Sequence, residues 1–486
     1  MTQQIRVRYS PSPTGNPHIG NIRTAIFNWL FARGVNGKFV VRIEDTDQTR
    51  MVGGAIENIL DSLRWLGLEW DEGPDKEGEY GPYIQSQRLS LYENVAEKLI
   101  DVGKAYRCYC SPERLESLRQ EQESRKQSIG YDRKCRDLGS NSSQESSTNK
   151  SVIRFAMPLG GVTIVRDIIK GNVSFANQVI DDFILIKSDG YPTYHLANVS
   201  DDHAMKITHV FRAEEWLSST PRHIQIYETL GWNIPKFAHL PTVLAPDRSK
   251  LSKRHGATSI MQYKEMGYLP NAIINFLSLL GWSLDDKTEI LSISELIDNF
   301  SVDRVSKSGA VFNIKKLMWM NGHYIRQLNT NELADVLLEF WSLYPPSSLE
   351  NLPQKQYLLK IIPIIQERLR TLGDAEELTR FFFNPAIKYI PSELQQKGMD
   401  SSATKTAIKS VINEIEKIDD FNAESVESVL RLLAEKLQLK VGQLLGVVRV
   451  AITGQTVSPP LFETMEIIGP ERTIESLENA YAVLTN

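Results

Sequence analysis

The sequence predicts an α/β domain built on a parallel sheet, interrupted by an insertion and followed by an all-helical region. Three observations predict it. First, the strand-like run Ile5-Arg6-Val7-Arg8-Tyr9 leads through a Pro/Gly turn into a helical stretch from about Asn21 to Arg33. A second β-branched run, Phe39 to Ile43, follows that helix, an alternation that suits parallel pairing. Second, from about Leu68 to Lys187 the text changes to a Gly/Pro-rich stretch, a helix and short strands, and Phe183-Ile184-Leu185-Ile186 then resumes a buried strand. Third, beyond about Gln327 apolar residues keep helical spacing and no strand pattern is visible.

Taken in order, the turn Pro11-Ser12-Pro13-Thr14-Gly15-Asn16-Pro17 between first strand and first helix is an anion site in outline. A helix N-terminus offers unpaired N–H groups and a partial positive charge, with His18 able to donate from the loop and Gly20 allowing close backbone approach. Ala55 to Leu66 carries Ile56, Ile59, Leu60, Leu63 and Leu66 on one helical face, a core-packing stripe. Leu89 to Val102 reads as a helix, the residues around Val152 to Phe155 as short strands, and Ser140 to Lys150 as a surface loop without apolar periodicity. Met261 to Tyr268, Pro270 to Leu280 and Ser294 to Phe300 read as helices, with a stop at Gly281-Trp282. Distally, Val426, Val429, Leu430, Leu433 and Leu437 form one stripe, and breaks at Pro345-Pro346, Gly373, Pro391, Gly398 and Pro459-Pro460 separate the helices.

The 486 residues exceed one ordinary domain, and 41% hydrophobic content can supply several cores. No run of about 18 apolar residues is present and the N-terminus enters a strand almost at once, so a cytoplasmic protein with no membrane partner is expected. Three cysteines in this length exclude a disulfide framework. The net charge of −5 does not announce a polyphosphate partner, but the acidic excess lies in Asn331 to Asn486 and the first 330 residues are close to balance. Contact with a nucleic acid would therefore come from local basic patches.

Chemistry is carried by His18-Ile19-Gly20-Asn21 and, far downstream, by Lys250-Leu251-Ser252-Lys253-Arg254. Neither the P-loop ending nor the dinucleotide Gly-rich fingerprint is present, so a nucleotide's phosphates must be held by other means. Lys250 and Lys253 on a compact loop can neutralise charge on a pyrophosphate leaving group, which points to adenylate chemistry. Either motif alone has an ordinary explanation, a polar turn or a solvated charge run. Their joint occurrence in order reverses that reading.

The two motifs resemble the signature sequences of class I aminoacyl-tRNA synthetases. Ser10 to Gly15, Arg42-Ile43-Glu44-Asp45-Thr46-Asp47, Tyr191 to Ala197 and Arg212-Ala213-Glu214-Glu215-Trp216 are similar to the bacterial glutamyl-tRNA synthetases, over essentially the whole chain. The resemblance implies a Rossmann-like catalytic region over residues 1–330, with an acceptor-stem-binding insertion at about 68–187 and a stem-contact segment at about 257–327. A helical anticodon-binding region would occupy 331–486. Glutaminyl relatives end in β-barrels and the shortened queuosine-modifying relative lacks the distal region, so the helical pattern favours glutamate.

A dicarboxylic amino acid needs cations for its carboxylates and an anion for its ammonium group. By resemblance Arg8 and Arg212 would hold carboxylates, Glu44 the α-amino group, and Ser10, Ser12, Tyr194 and Asn198 would complete the pocket. ATP, with Mg²⁺, would meet His18 and Gly20 at the phosphates, Glu215 and Trp216 near the nucleoside, and Lys250, Ser252 and Lys253 at the phosphates. Arg368 and Arg370 match a region that contacts the anticodon in relatives. The implied partners are tRNA(Glu), L-glutamate and ATP, with tRNA(Gln) also charged by many bacterial members, which usually act as monomers.

Cys108, Cys110 and Cys135 can supply three zinc ligands, and some bacterial members place a fourth two residues past the third, where Asp137 stands. Three thiolates with an aspartate are not a typical structural set, so packed free thiols remain the alternative. Two rival functions are a small-molecule nucleotidyltransferase, which needs no long helical appendage, and an inactive RNA-binding paralogue, which would have lost a signature lysine or pocket arginine.

Overall fold

A computed structural model of the chain describes residues 4–137, 151–252, 254, 256, 259–384 and 386–485. The surface loop expected over Ser140 to Lys150 lies outside the described residues, as does Lys253. The chain forms two compact units. One comprises Met1–Tyr263 with Ile273–Ile314, the other Lys264–Ala272 with Lys315–Asn486.

In the first unit, β1 (Arg6–Tyr9) and β2 (Lys38–Val41) pair in parallel, from Arg6 with Lys38 to Tyr9 with Val41, and α1 (Ile19–Gly34) is the crossover between them. The helix buries Ile22, Ala25, Ile26, Phe27, Trp29 and Leu30, so it is enclosed on most sides rather than one. Gly37 makes the return to β2 possible, because a Cβ there would stand 2.8 Å from the Ile5 carbonyl oxygen. The helix α2 (Ala55–Trp65) buries Ile59, Leu60 and Leu63, the stripe expected of it.

The region expected as an insertion contributes to two sheets. Ala105–Cys108, Val152–Phe155 and Ile184–Ile186 form an antiparallel sheet. A hairpin of Val162–Asp167 with Gly171–Ala176 extends a second sheet through parallel pairing of Asp167 with Phe237 on Lys236–Leu240, which in turn pairs in parallel with His209–Ala213. Phe155, Leu185, Leu196, Val210 and Phe237 share one apolar cluster. The first strand of this hairpin is hidden in the sequence for a physical reason. Thr163 and Val165 face inward while Val162 (58% exposed) and Ile164 (49%) face solvent, so apolar residues sit on both faces and the two-residue period is lost.

Among the described residues of the second unit there is no strand. Helices Thr330–Leu343, Lys355–Ile365, Asp374–Phe383, Ser401–Ile415, Ala423–Lys436, Val441–Thr453, Leu461–Ile468 and Pro470–Val483 follow one another, and the expected breaks fall between them. Asn329, Asp400 and Asn422 cap three of these helices by accepting backbone N–H bonds. Val426, Leu430 and Leu433 point into a shared core with Leu444, Val447 and Met465. No helix among the described residues is long and apolar enough to cross a membrane.

Candidate active site

The turn after β1 and the start of α1 wall a cavity of about 410 Å³, lined among others by Ser12, His18, Asn21, Gly256, Ser259 and Gln262. His18 is the extended residue that precedes the first helical turn (φ −79°, ψ 154°), and its side chain makes no capping bond. A Cβ on Gly20 would meet nothing within 4 Å, so the space beside the helix N-terminus is open. The chain after the second signature closes on the first: His18 and Ser259 form a bridge and the Ile260 N–H donates to the Pro17 carbonyl at 3.3 Å. Residues of both signatures' loops thus face one cavity. The hydroxyls of Ser259 and of Tyr9, a further lining residue, are buried without a partner among the described residues. That is the state of groups awaiting a polar ligand.

Lys250 does not line this cavity. Its Nζ pairs with the Glu215 carboxylate at 2.5 Å, both groups being exposed, so the second signature meets the residue expected near the nucleoside. Trp216 packs its ring against Tyr194, centroids 4.3 Å apart.

A buried ionic cluster adjoins residues that line the cavity: Arg8 precedes Tyr9, and the Glu44 N–H donates to the Pro11 carbonyl at 2.9 Å. Arg8, on β1, donates through Nε to Asp202 (3.1 Å) and through Nη1 to the Phe211 carbonyl (3.4 Å), leaving Nη2 without a protein partner among the described residues. Arg42, wholly buried, donates to Asp202 (2.7 Å) and Glu44 (2.9 Å) and lies 3.7 Å from Asp201. Arg88 donates to the other oxygen of Asp201 at 2.7 Å. Three guanidinium groups therefore balance three carboxylates. Glu44 Oε1 also accepts from Asn198 at 3.2 Å, which leaves Oε2 free of protein partners among the described residues. Burial outweighs the arginines at Glu44 and holds its pKa above the ordinary value, so an arriving ammonium group is favoured there. Ser10 Oγ is buried and has no partner among the described residues.

Arg212, on the strand His209–Ala213, donates to Tyr194 Oη at 2.7 Å and is 5% exposed. Arg8 and Glu44 both act electrostatically on Tyr194, so the residues expected around a glutamate converge, with Ser12 on the cavity side. Sequence reasoning missed Arg42, Asp201 and Asp202 as site residues. The signal for Arg42 was there: an arginine directly after the apolar run Phe39-Val40-Val41 must be paired if it is buried.

In the expected insertion the three cysteines meet, their sulfurs all within 4.8 Å of one another. Asp137 is exposed and outside this group, which corrects the fourth-ligand expectation. The Tyr131 hydroxyl stands there instead, 3.3 Å from Cys108 Sγ and 3.6 Å from Cys110 Sγ, accepting the Cys135 N–H at 3.0 Å. Arg154 covers the Tyr131 ring at 3.9 Å and Arg114 donates to Cys110 Sγ at 3.5 Å, so the cluster is built for negative charge. In the second unit Arg368 and Arg370 are exposed, and neither side chain is in an ion pair among the described residues. Arg368 lies close enough to Arg449 to act on it electrostatically, after burial, in lowering its pKa.

Residues 4–319 match the family model for the catalytic domain of class I tRNA synthetases (E and Q), and 332–481 match an anticodon binding domain. The fold and the paired signatures are those of a class I aminoacyl-tRNA synthetase. A glutamate–tRNA ligase of Dehalococcoides mccartyi is 53% identical over 485 residues, covering 100% of this chain and 99% of that one. One of Moorella thermoacetica is 45% identical over 98% of both. The crystal structure of a glutamate tRNA ligase from Elizabethkingia meningosepticum, in complex with its amino acid, aligns with a TM-score of 0.87 at 35% identity, over 99% of this chain and 100% of that one. The chain belongs to the glutamate–tRNA ligase family.

Proposed function

We propose that this chain activates L-glutamate with ATP and transfers it to the terminal adenosine of tRNA(Glu), with the ionic cluster and Arg212 holding the amino acid and the signature cavity holding ATP. The observation that carries the reading is the convergence of Arg8, Glu44, Tyr194, Asn198 and Arg212 next to Tyr9 and Pro11, which line the cavity together with His18. Arg8 Nη2 and Arg212 face carboxylates, and Glu44 Oε2 receives the α-ammonium group. The free carboxylate oxygen attacks the α-phosphorus of ATP, the bond to the bridging oxygen breaks, and pyrophosphate leaves. A ribose hydroxyl of the tRNA then attacks the adenylate carbonyl and AMP leaves. No enzyme nucleophile is required, so the protein's part is positioning and charge stabilisation. Mg²⁺ enters with ATP, held mainly by phosphate oxygens and water.

The test is aminoacylation with labelled glutamate on tRNA(Glu) and tRNA(Gln) in separate reactions, glutamine serving as control. Glutamate on tRNA(Glu) is expected, and no glutamate on either tRNA overturns the reading. We extend the reading to tRNA(Gln), a monomeric enzyme and the cytoplasm. Charging of tRNA(Glu) alone removes the first extension and a sedimentation experiment decides the second. For Lys253, assigned to the phosphates by its motif, Lys253→Ala is expected to slow glutamate-dependent pyrophosphate exchange about 10²-fold with tRNA affinity retained. Undiminished exchange removes the role.

We also read the thiol cluster as a zinc centre held by Cys108, Cys110, Cys135 and the Tyr131 oxygen, a structural ion that ties the strand Ala105–Cys108 to the loop around Cys135. Metal analysis should find about one zinc per chain. Tyr131→Phe should speed its release to a chelator and Asp137→Ala should not. Metal-free protein with titratable thiols returns the cluster to packed cysteines.

A further inference from the structure

Arg212 differs from the buried arginines around it. Arg6, Arg8, Arg42 and Arg88 each pair with a carboxylate. Among the described residues the Arg212 guanidinium meets only neutral acceptors: His239 Nε2 at 3.1 Å on Nε, Tyr194 Oη at 2.7 Å and His223 Nδ1 at 3.3 Å on Nη1, and Thr220 Oγ1 at 2.8 Å and the Trp216 carbonyl at 3.5 Å on Nη2. A guanidinium has no acceptor, so each ring nitrogen facing it must present a lone pair. That requirement fixes the tautomer of both imidazoles. His239 must carry its proton on Nδ1, and Nδ1 lies 2.6 Å from Asp167 Oδ2. His223 must carry its proton on Nε2, which lies 3.1 Å from His195 Nδ1.

Asp167 is itself held rigidly. Oδ2 also accepts the His239 backbone N–H at 3.0 Å, and Oδ1 accepts those of Ile169 (3.0 Å) and Lys170 (2.8 Å). Asp167, His239 and Arg212 form a line in which one imidazole separates carboxylate from guanidinium. We infer that Asp167 and His239 are positioning residues that hold Arg212 in place without neutralising it, so that its full charge is reserved for a substrate carboxylate and refused to the neutral amide of glutamine. A carboxylate in direct contact would have positioned Arg212 equally well and cancelled the charge. Burial keeps the imidazoles neutral: it lowers the His239 pKa against the pull of Asp167 and drives that of His223 well down.

The inference rests on the reading of Arg212 as a carboxylate-binding residue, and the experiment separates the two. Aminoacylation kinetics on Asp167→Asn, His239→Leu, His239→Gln and Arg212→Met give KM for glutamate, KM for ATP and inhibition by glutamine. Asp167→Asn and His239→Leu are expected to raise the glutamate KM about 10-fold or more, to leave the ATP KM within about twofold, and to narrow the preference for glutamate over glutamine. His239→Gln, whose amide oxygen can accept where Nε2 did, is expected to recover most of the loss, as a merely structural role would not. If Arg212→Met raises the glutamate KM while Asp167→Asn and His239→Leu do not, the relay is overturned. If Arg212→Met has no effect, the assignment of Arg212 falls instead. Should the variants not fold, nitrogen-15 shifts of the unaltered protein decide, since a His239 proton on Nε2 between pH 6 and 8 contradicts the relay.

Discussion

Replacing Arg42 with methionine is expected to remove about 3–5 kcal/mol from the stability of the catalytic unit at neutral pH, the usual cost of leaving a buried charge without its partner. The size follows from what surrounds it. Arg42 is the common partner of Asp202, Glu44 and Asp201, and all four side chains are almost wholly buried. After the substitution Arg88 still serves Asp201 and Arg8 still serves Asp202, but Glu44 loses its hydrogen-bonded cation. The sign of the pH dependence checks the mechanism. In the unaltered protein burial raises the Asp202 pKa, but Arg8 and Arg42 more than offset it and hold it below the ordinary value. Its contribution is therefore present above the unfolded pKa, near 4, and lost as pH falls through the folded one. In the variant Glu44, which burial already holds above its ordinary pKa, loses the cation that most opposes that shift, so the folded state takes up a proton more readily and the deficit shrinks as pH falls. Urea unfolding at pH 7.5 and 5.5 should show the difference between the two proteins narrowing at the lower pH. A difference independent of pH would mean that Arg42 acts by packing alone.

The first half-domain was legible because its physics is local. A strand, a Pro/Gly turn and a closed apolar helix leave few options, and β1, α1, β2 and α2 lie within one or two residues of the expected bounds. The distal helices were legible for the same reason, since stripes such as Val426, Leu430 and Leu433 are set by 3.6-residue spacing. What was not legible depends on where the chain returns in space. The strand Val162–Asp167 carries apolar residues on both faces, which hides its two-residue period. Asp167 reaches His239 only because that hairpin joins the second sheet beside Phe237. Tyr131, four residues before Cys135, meets the thiols through the path of a loop, while the family resemblance had implied Asp137.

The site shows the same division. Motifs named His18, Arg8, Glu44 and Arg212 as residue types fit for anions and ammonium groups, but a motif carries no partner list. That Arg8 is half-committed to Asp202 while Arg212 has no counter-ion among the described residues is a property of the folded network. It distinguishes two arginines that look equivalent in the sequence.

Arg212→Met makes that distinction measurable. Removing Arg42 leaves a carboxylate stranded, whereas removing Arg212 takes away a desolvated cation that has no counter-ion among the described residues, at the cost of unpairing the neutral acceptors His239, His223, Tyr194 and Thr220. The two terms oppose each other, so stability is expected to change by only about 1 kcal/mol. The substrate sees no such compensation. Its carboxylate would enter a buried pocket without the cation that offsets its desolvation, a loss on the order of 3–5 kcal/mol. The kcat/KM for glutamate should therefore fall by about 10²- to 10⁴-fold. Thermal unfolding and aminoacylation on the same preparation give both quantities. Near-native stability with lost glutamate use supports a cation held in reserve for the substrate. A parallel loss of both would place Arg212 among the structural ion pairs with Arg42.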